Sequence, residues 1–337
     1  MLLAAWRIGS KSRPSVQRAV SFSKVRALIF QGSKGWHLWQ HWRAFYSSSA
    51  SGNGKLCCQT GTTDKNTHAT RVVDLSYDLY DGSAPGPPLV LLHGLFGSKS
   101  NFQSIARALV RKTGRKVLTL DARNHGCSPH DDIMTYPAMS ADVCQILHKL
   151  QITSCVLIGH SMGGKTAMTV ALQEPKLVER LVSVDISPAP TVPQTGFPHY
   201  IAAMQKVHLE GKIPRSTARR LAEEQLSSTV KEASIRQFLL TNLVQENGTF
   251  KWRVNLEVIS QHLQDLLDFP EFQEPYPGPA LFLGGANSPY ISSENYPEIE
   301  RLFPCANVEY IFGAGHWVHA DKTHDFLNSI CNFVESA

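Results

Sequence analysis

A mostly parallel α/β sheet flanked by helices, with a helical cap inserted late in the chain, is the fold this sequence predicts. Three observations lead there. Short, almost wholly apolar runs recur at residues 88–92, 117–120, 155–158 and 280–283, with Thr119 the one polar residue among them, and strands buried on both faces read that way. These runs alternate with stretches of helical periodicity, which implies βαβ units. The alternation is interrupted once, after Ser187, by Pro188, Pro190, Pro193 and Pro198 and then by a long, mostly helical stretch that closes at Pro275-Tyr276-Pro277.

Each element follows from its local pattern. Val72 to Tyr80 interleaves apolar and polar residues and predicts an edge strand. Pro88 to Leu92 predicts a buried strand ending at His93-Gly94. Asn101 to Arg111 carries Phe102, Ile105, Ala106 and Leu109 at helical spacing. Val117 to Leu120 is the next strand. Ala138 to Leu150 is a helix with Met139, Val143, Ile146, Leu147 and Leu150 on one face. Cys155 to Ile158 is again a strand, followed by helix formers to about Gln173. Arg180 to Ile186 predicts a strand that carries an acid, Asp185, at its end. Within the insert, Ser216 to Leu226 and Lys231 to Leu243 read as helices. The alternation resumes with strand Ala280 to Leu283, helix Tyr296 to Phe303, strand Val308 to Phe312 and helix Asp325 to Val334. An insert at about 187–277 would cap the strand ends, where ligands bind in open α/β sheets. No internal repeat is present.

The composition, 42% hydrophobic and 18% charged over 337 residues, supplies a real core. No apolar run approaches the ~18–20 residues that span a bilayer. The net charge of +5 does not imply a nucleic-acid partner, because the charge is unevenly placed. Met1 to Thr63 holds no Asp or Glu and nine basic residues, from Arg7 to Lys55; the remainder is mildly acidic. An acid-free stretch with Arg, Ser and scattered apolar residues marks an organelle transit peptide. Residues 1–46 are therefore expected to be a mitochondrial transit peptide, with a processing site at Arg43-Ala44-Phe45-Tyr46-Ser47, and the protein to reside in the matrix. Residues 47–70, rich in Ser, Gly and Thr, read as flexible linker, leaving 71–337 as the folded domain. The seven cysteines are irregularly spaced, with no zinc-ligand pattern, which suits a reducing compartment.

Gly159-His160-Ser161-Met162-Gly163 lies between the apolar strand and the helix that follows. That is the strand–turn–helix setting of a nucleophile elbow, which lifts a serine hydroxyl above the sheet edge. The pentapeptide alone is weak, since chance produces it in roughly one chain of this length in ten; its context carries the inference. A serine needs a general base. His316, in Ala314-Gly315-His316-Trp317 after the last predicted strand, is the expected base, with His319 and His324 as surface or supporting groups. Two backbone N–H donors are needed for an oxyanion: Met162, just after the serine, and Leu95 in His93-Gly94-Leu95-Phe96-Gly97, with Phe96 as the alternative. The acid is harder to locate. The loop Gly284-Gly285-Ala286-Asn287-Ser288 has no carboxylate, so Asp185 is expected and Glu257 is the runner-up, itself expected as a cap or hinge residue. A serine at the elbow excludes the aspartate-nucleophile chemistries of dehalogenases and epoxide hydrolases. There is no P-loop, no dinucleotide fingerprint and no metal-ligand spacing, so no cofactor is expected.

His93-Gly94-Leu95-Phe96-Gly97-Ser98, Asp121-Ala122-Arg123-Asn124-His125-Gly126-Cys127-Ser128-Pro129, Gly159 to Lys165, Val184 to Pro188 and Gly313 to His319 together resemble one branch of the α/β-hydrolase superfamily. That branch holds small bacterial esterases and a mitochondrial vertebrate member; the resemblance runs from about Leu75 to the C-terminus, cap included. It implies the α/β-hydrolase fold, a serine acyl-ester hydrolase with diacylglycerol lipase activity, and Asp185 as the triad acid. It also implies a matrix role beside the 2-oxoglutarate dehydrogenase complex, bearing on its lipoylation. A thioesterase or lipoyl-amide hydrolase would use the same groups. A partner-binding protein with vestigial chemistry is the alternative of another class, and the intact Ser161 and His316 argue against it.

Overall fold

The computed structural model describes residues 20–21, 71–191 and 196–336; apart from Val20 and Ser21, the predicted transit peptide, the linker and Cys57-Cys58 lie outside them. The strands are β1 (Val20–Ser21), β2 (Tyr77–Tyr80), β3 (Leu89–Leu92), β4 (Val117–Leu120), β5 (Cys155–His160), β6 (Val178–Val184), β9 (Ala280–Gly285) and β10 (Ala306–Ile311), with β7 (Leu243–Glu246) and β8 (Thr249–Trp252) apart from them. The main sheet runs β1-β10-β9-β6-β5-β3-β4-β2. Its six inner strands are parallel and both edges are antiparallel. β3, β4, β5 and β9 are buried along their whole length. Each Leu, Val or Ile so buried contributes about 1.5–3 kcal/mol, which is why these strands read as mostly apolar runs, Thr119 in β4 and His160 at the end of β5 apart.

Helices α1 (Gln103–Thr113) and α11 (Thr323–Glu335) cover one face of the sheet; α2 (Tyr136–Lys149) and α3 (Met162–Gln173) cover the other. The cap comprises α4 (Phe197–Lys206), α5 (Arg215–Ser227), α6 (Ala233–Leu239), the β7–β8 hairpin, α7 (Leu256–Gln261) and α8 (Leu263–Leu267). It has its own apolar cluster, which includes Leu95, Phe96 and Met162 from beneath it. α9 (Tyr296–Leu302) and the short α10 (Val318–Asp321) complete the chain. Among the described residues, no helix is long and apolar enough to cross a membrane.

Two elements differ from the sequence reading. Residues 72–75 are not part of the strand: the Val73 N–H donates to Asp142 Oδ1 at 2.8 Å, so this segment lies against α2, and pairing with β4 starts where Ser76 O accepts the Asp121 N–H at 2.9 Å and the strand begins at Tyr77. The expected helix over Lys231 to Leu243 is shorter. It ends at Leu239, passes through a 3-10 turn, Leu240–Asn242, and gives way to the hairpin. Asn247 and Gly248 carry φ of 51° and 83°, the left-handed pair that a two-residue hairpin turn demands. That Asn-Gly signal was legible in the sequence.

Candidate active site

The parallel strands bring their carboxyl ends to one rim, and the site is built there. His160 of β5 is in register with Val184 of β6, and Val184 with Leu283 of β9. Ser161 and Asp185, the next residues on their strands, therefore emerge side by side. Both leave the sheet in unusual conformations, with φ of 53° at Ser161 and 51° at Asp185. Such strain persists only where surroundings over-determine it. At the elbow, a Cβ added to Gly159 would sit 2.1 Å from Gly163 O, and one added to Gly163 would sit 2.4 Å from Leu92 O. Only glycines allow helix α3 to start this close to β3 and β5.

His316 lies between the other two. Its Nδ1–H donates to Asp185 Oδ2 at 2.7 Å, and its Nε2 is 3.1 Å from Ser161 Oγ, so Nε2 accepts the serine proton's hydrogen bond. Asp185 is fully buried. Its Oδ1 accepts from Gly285 N–H at 2.8 Å, and its Oδ2 also accepts a short bond from the Ser288 hydroxyl. The loop that lacks a carboxylate thus supplies two donors to one. Tyr290 stacks on the His316 ring at 4.0 Å. The Asp321 carboxylate holds the Gly315 N–H at 2.8 Å, fixing the loop just before His316. His160 donates from Nε2 to the His316 carbonyl at 2.9 Å. Burial, then the neighbouring His319 and His316, hold its imidazole well below the usual histidine range, so it stays neutral as this donor.

Leu95 N–H has no partner among the described residues. Met162 opens α3, so its N–H has no intrahelical acceptor. Phe96 is not available: its N–H donates to His125 Nε2 at 3.1 Å. Burial, chiefly, pushes the His125 imidazole down to about 3, which keeps Nε2 an acceptor. A Cβ on Gly94 would lie 3.2 Å from Ser161 Cβ, so glycine there lets the loop approach the serine. Glu257 does not join the site. It is exposed on α7, where its carboxylate accepts from Gln261. Asn287 is also exposed. His319 is buried, against Phe102 and His160, and burial pushes it down to about 4; His324 is exposed.

A cavity of about 230 Å³ opens at Ser161, walled by Leu95, Phe197, Phe238, His316 and Trp317. A second, of about 300 Å³, adjoins it across Phe197, Tyr200 and Trp317 and reaches Tyr290 and Ile186. The walls between them are mainly aromatic and aliphatic. The contributions of His160, Ser288 and Tyr290 were missed in the sequence; the only signal was their closeness to motif residues. Among the described residues no cluster of His, Cys, Asp or Glu could hold a metal ion.

The family model for the α/β hydrolase fold matches residues 87–323. The chain is 99% identical over 309 residues to the sn-1-specific diacylglycerol lipase ABHD11 of Xenopus tropicalis, covering 92% of this chain and 97% of that protein. It is 58% identical over 292 residues to the protein of that name from Danio rerio, covering 86% and 92%. Among solved structures, a marine microorganism esterase superposes with a TM-score of 0.73 at 34% identity, over 77% of this chain and 99% of that one. With this match spanning sheet, elbow and cap, the chain belongs to the α/β-hydrolase-fold family.

Proposed function

We propose that this chain is a serine hydrolase of acyl esters, acting on diacylglycerol-type lipids in the mitochondrial matrix. The observation that carries the reading is the unbroken hydrogen-bonded line from Asp185 Oδ2 through the His316 imidazole to Ser161 Oγ. Ser161 Oγ attacks the ester carbonyl carbon as its proton passes to His316 Nε2. Asp185 keeps Nδ1 protonated and stabilises the imidazolium. The charge that develops on the carbonyl oxygen is met by the N–H groups of Leu95 and Met162. His316 then returns the proton to the leaving alkoxide, which departs as alcohol. Water repeats the sequence on the acyl-enzyme and releases the acid.

The lipid assignment is supported by the apolar walls of the two cavities and by the lipase name of the similar proteins. The matrix location is supported by the acid-free, basic stretch before Asp64. A role beside the 2-oxoglutarate dehydrogenase complex and its lipoylation rests on the family resemblance. The test is Ser161→Ala, assayed on a diacylglycerol and on a chromogenic ester. Turnover should fall by about four to six decades, and a fluorophosphonate probe should label wild type but not the variant. Turnover in the variant equal to wild type would exclude the reading.

A further inference from the structure

The Leu95 N–H is one end of a chain of hydrogen-bonded peptides whose other end lies in the cap. The peptide that carries this N–H has Gly94 O as its carbonyl. That oxygen accepts from Gly97 N–H at 2.9 Å and from His93 Nδ1–H at 2.8 Å. Gly97 N–H belongs to the peptide whose carbonyl is Phe96 O. Phe96 O in turn accepts from Asn242 Nδ2 at 2.8 Å. Asn242 is a cap residue, in the 3-10 turn before the hairpin, and is 1% exposed. From cap to site the line runs from the Asn242 amide, through the Phe96–Gly97 peptide and the Gly94–Leu95 peptide, to the point where the oxyanion would form.

The loop needs such restraint. Phe96 has φ of 61°, a left-handed conformation that is unfavourable for an aromatic residue and is kept only when contacts impose it. His125 holds its N–H, Asn242 holds its C=O, and its ring is buried edge-on to Phe197 of the cap at 6.1 Å. In a line of hydrogen bonds each donor polarises the next. A donor at the head of this one therefore strengthens as well as aims the last N–H.

We propose that Asn242 is a positioning residue for the oxyanion donor, and that docking of the cap on the Leu95-Phe96 loop is thereby coupled to the hydrolytic step. This rests on the serine-hydrolase reading above. It makes the cap part of the reaction machinery and more than a wall for the acyl chain.

The experiment uses the full chain with Asn242→Asp and Asn242→Leu. Steady-state rates are measured on a soluble ester. Affinity is measured for a trifluoromethyl ketone, which forms a tetrahedral adduct on serine, and for an ether analogue of the substrate, which cannot. Losing an oxyanion donor outright costs about 10²–10³ in kcat, so misaligning one should cost about 10–100-fold, with KM within about twofold. Ketone affinity should fall by the same factor and ether affinity should hold. The Asn242→Asp variant should regain activity relative to wild type on acidification, because a protonated carboxyl donates again. If either variant fails to fold, Asn242→Ser, smaller but still a donor, should show the same kcat-against-KM split in weaker form. An unchanged kcat, a loss confined to KM, or an unmoved ketone affinity in folded variants overturns the coupling. Loss of the Ser161 dependence in wild type would instead remove the hydrolase reading beneath it.

Discussion

Asp185 is a buried carboxylate with both oxygens occupied, by Gly285 N–H on one side and by Ser288 and His316 on the other. Every partner is a donor, so both oxygens serve here as acceptors. Asp185→Asn would turn an N–H toward one of these donors or force the His316 proton onto Nε2, where it can no longer take the serine's. We expect kcat to fall about 10³–10⁴-fold with the fold retained, as loss of the correct tautomer does elsewhere. Glu257→Gln is the matched control, since that carboxylate is exposed and touches only its own helix. It should leave activity within about twofold. Steady-state kinetics of the two variants measures both outcomes, and the reverse ranking would reassign the acid.

At the level of elements, the cap is joined to the sheet through a side chain of the elbow helix. Lys165 of α3 is 1% exposed. Its Nζ donates to Thr191 Oγ1 at 2.9 Å, where the chain enters the cap, and to Leu267 O at 2.7 Å and Asp268 O at 2.9 Å, where it leaves. Thr191 N–H also donates to Leu267 O, and Tyr136 Oη–H to Leu266 O, both at 2.7 Å. The two cap hinges are therefore pinned to each other and to the helix that starts at Met162. Lys165→Met keeps the stem but leaves three half-buried acceptors, Thr191 Oγ1, Leu267 O and Asp268 O, without this donor. We expect a loss of about 1–3 kcal/mol, read as a lower melting temperature, and faster proteolytic cleavage within residues 197–267. Unchanged melting and cleavage would mean that apolar packing alone holds the cap.

For the whole molecule, the core of the described residues lies beyond residue 70. Residues 20 and 21 are the part of the first 70 that is described, and they add two register pairs to the outer edge of β10. The other seven strands of the sheet and the whole cap lie within residues 77–311. A chain lacking residues 1–60 should fold and hydrolyse esters like the full chain. If those residues are the import signal, whose positive charge the membrane potential draws inward, the truncated chain should also fail to reach the matrix. Expression of the truncation with fractionation of the cells checks this. Arrival of the truncation in the matrix would refute the transit-peptide reading.

Much of this was open to a reader of the chain, for a physical reason. Strands buried on both faces are mostly apolar, so β3, β4, β5 and β9 announce themselves, and the elbow needs glycine on both sides of Ser161 because backbone from two elements meets there. Chain order then points to His316 and leaves Asp185 as the acid at a strand end. The hairpin in the cap carried its Asn-Gly signal but lost to the helical character of its surroundings. What sequence could not reach were contacts between residues far apart along it. Ser288 reaches Asp185 across 103 positions, and Asn242 reaches Phe96 across 146. Neither residue type nor spacing marks such a pair, because a hydrogen bond depends on where two strands and a cap bring the backbone. The choice between Leu95 and Phe96 as candidate donor was of the same kind: both are apolar residues of one loop, and it is His125, folded over that loop, that takes the Phe96 N–H and leaves the other without a partner among the described residues.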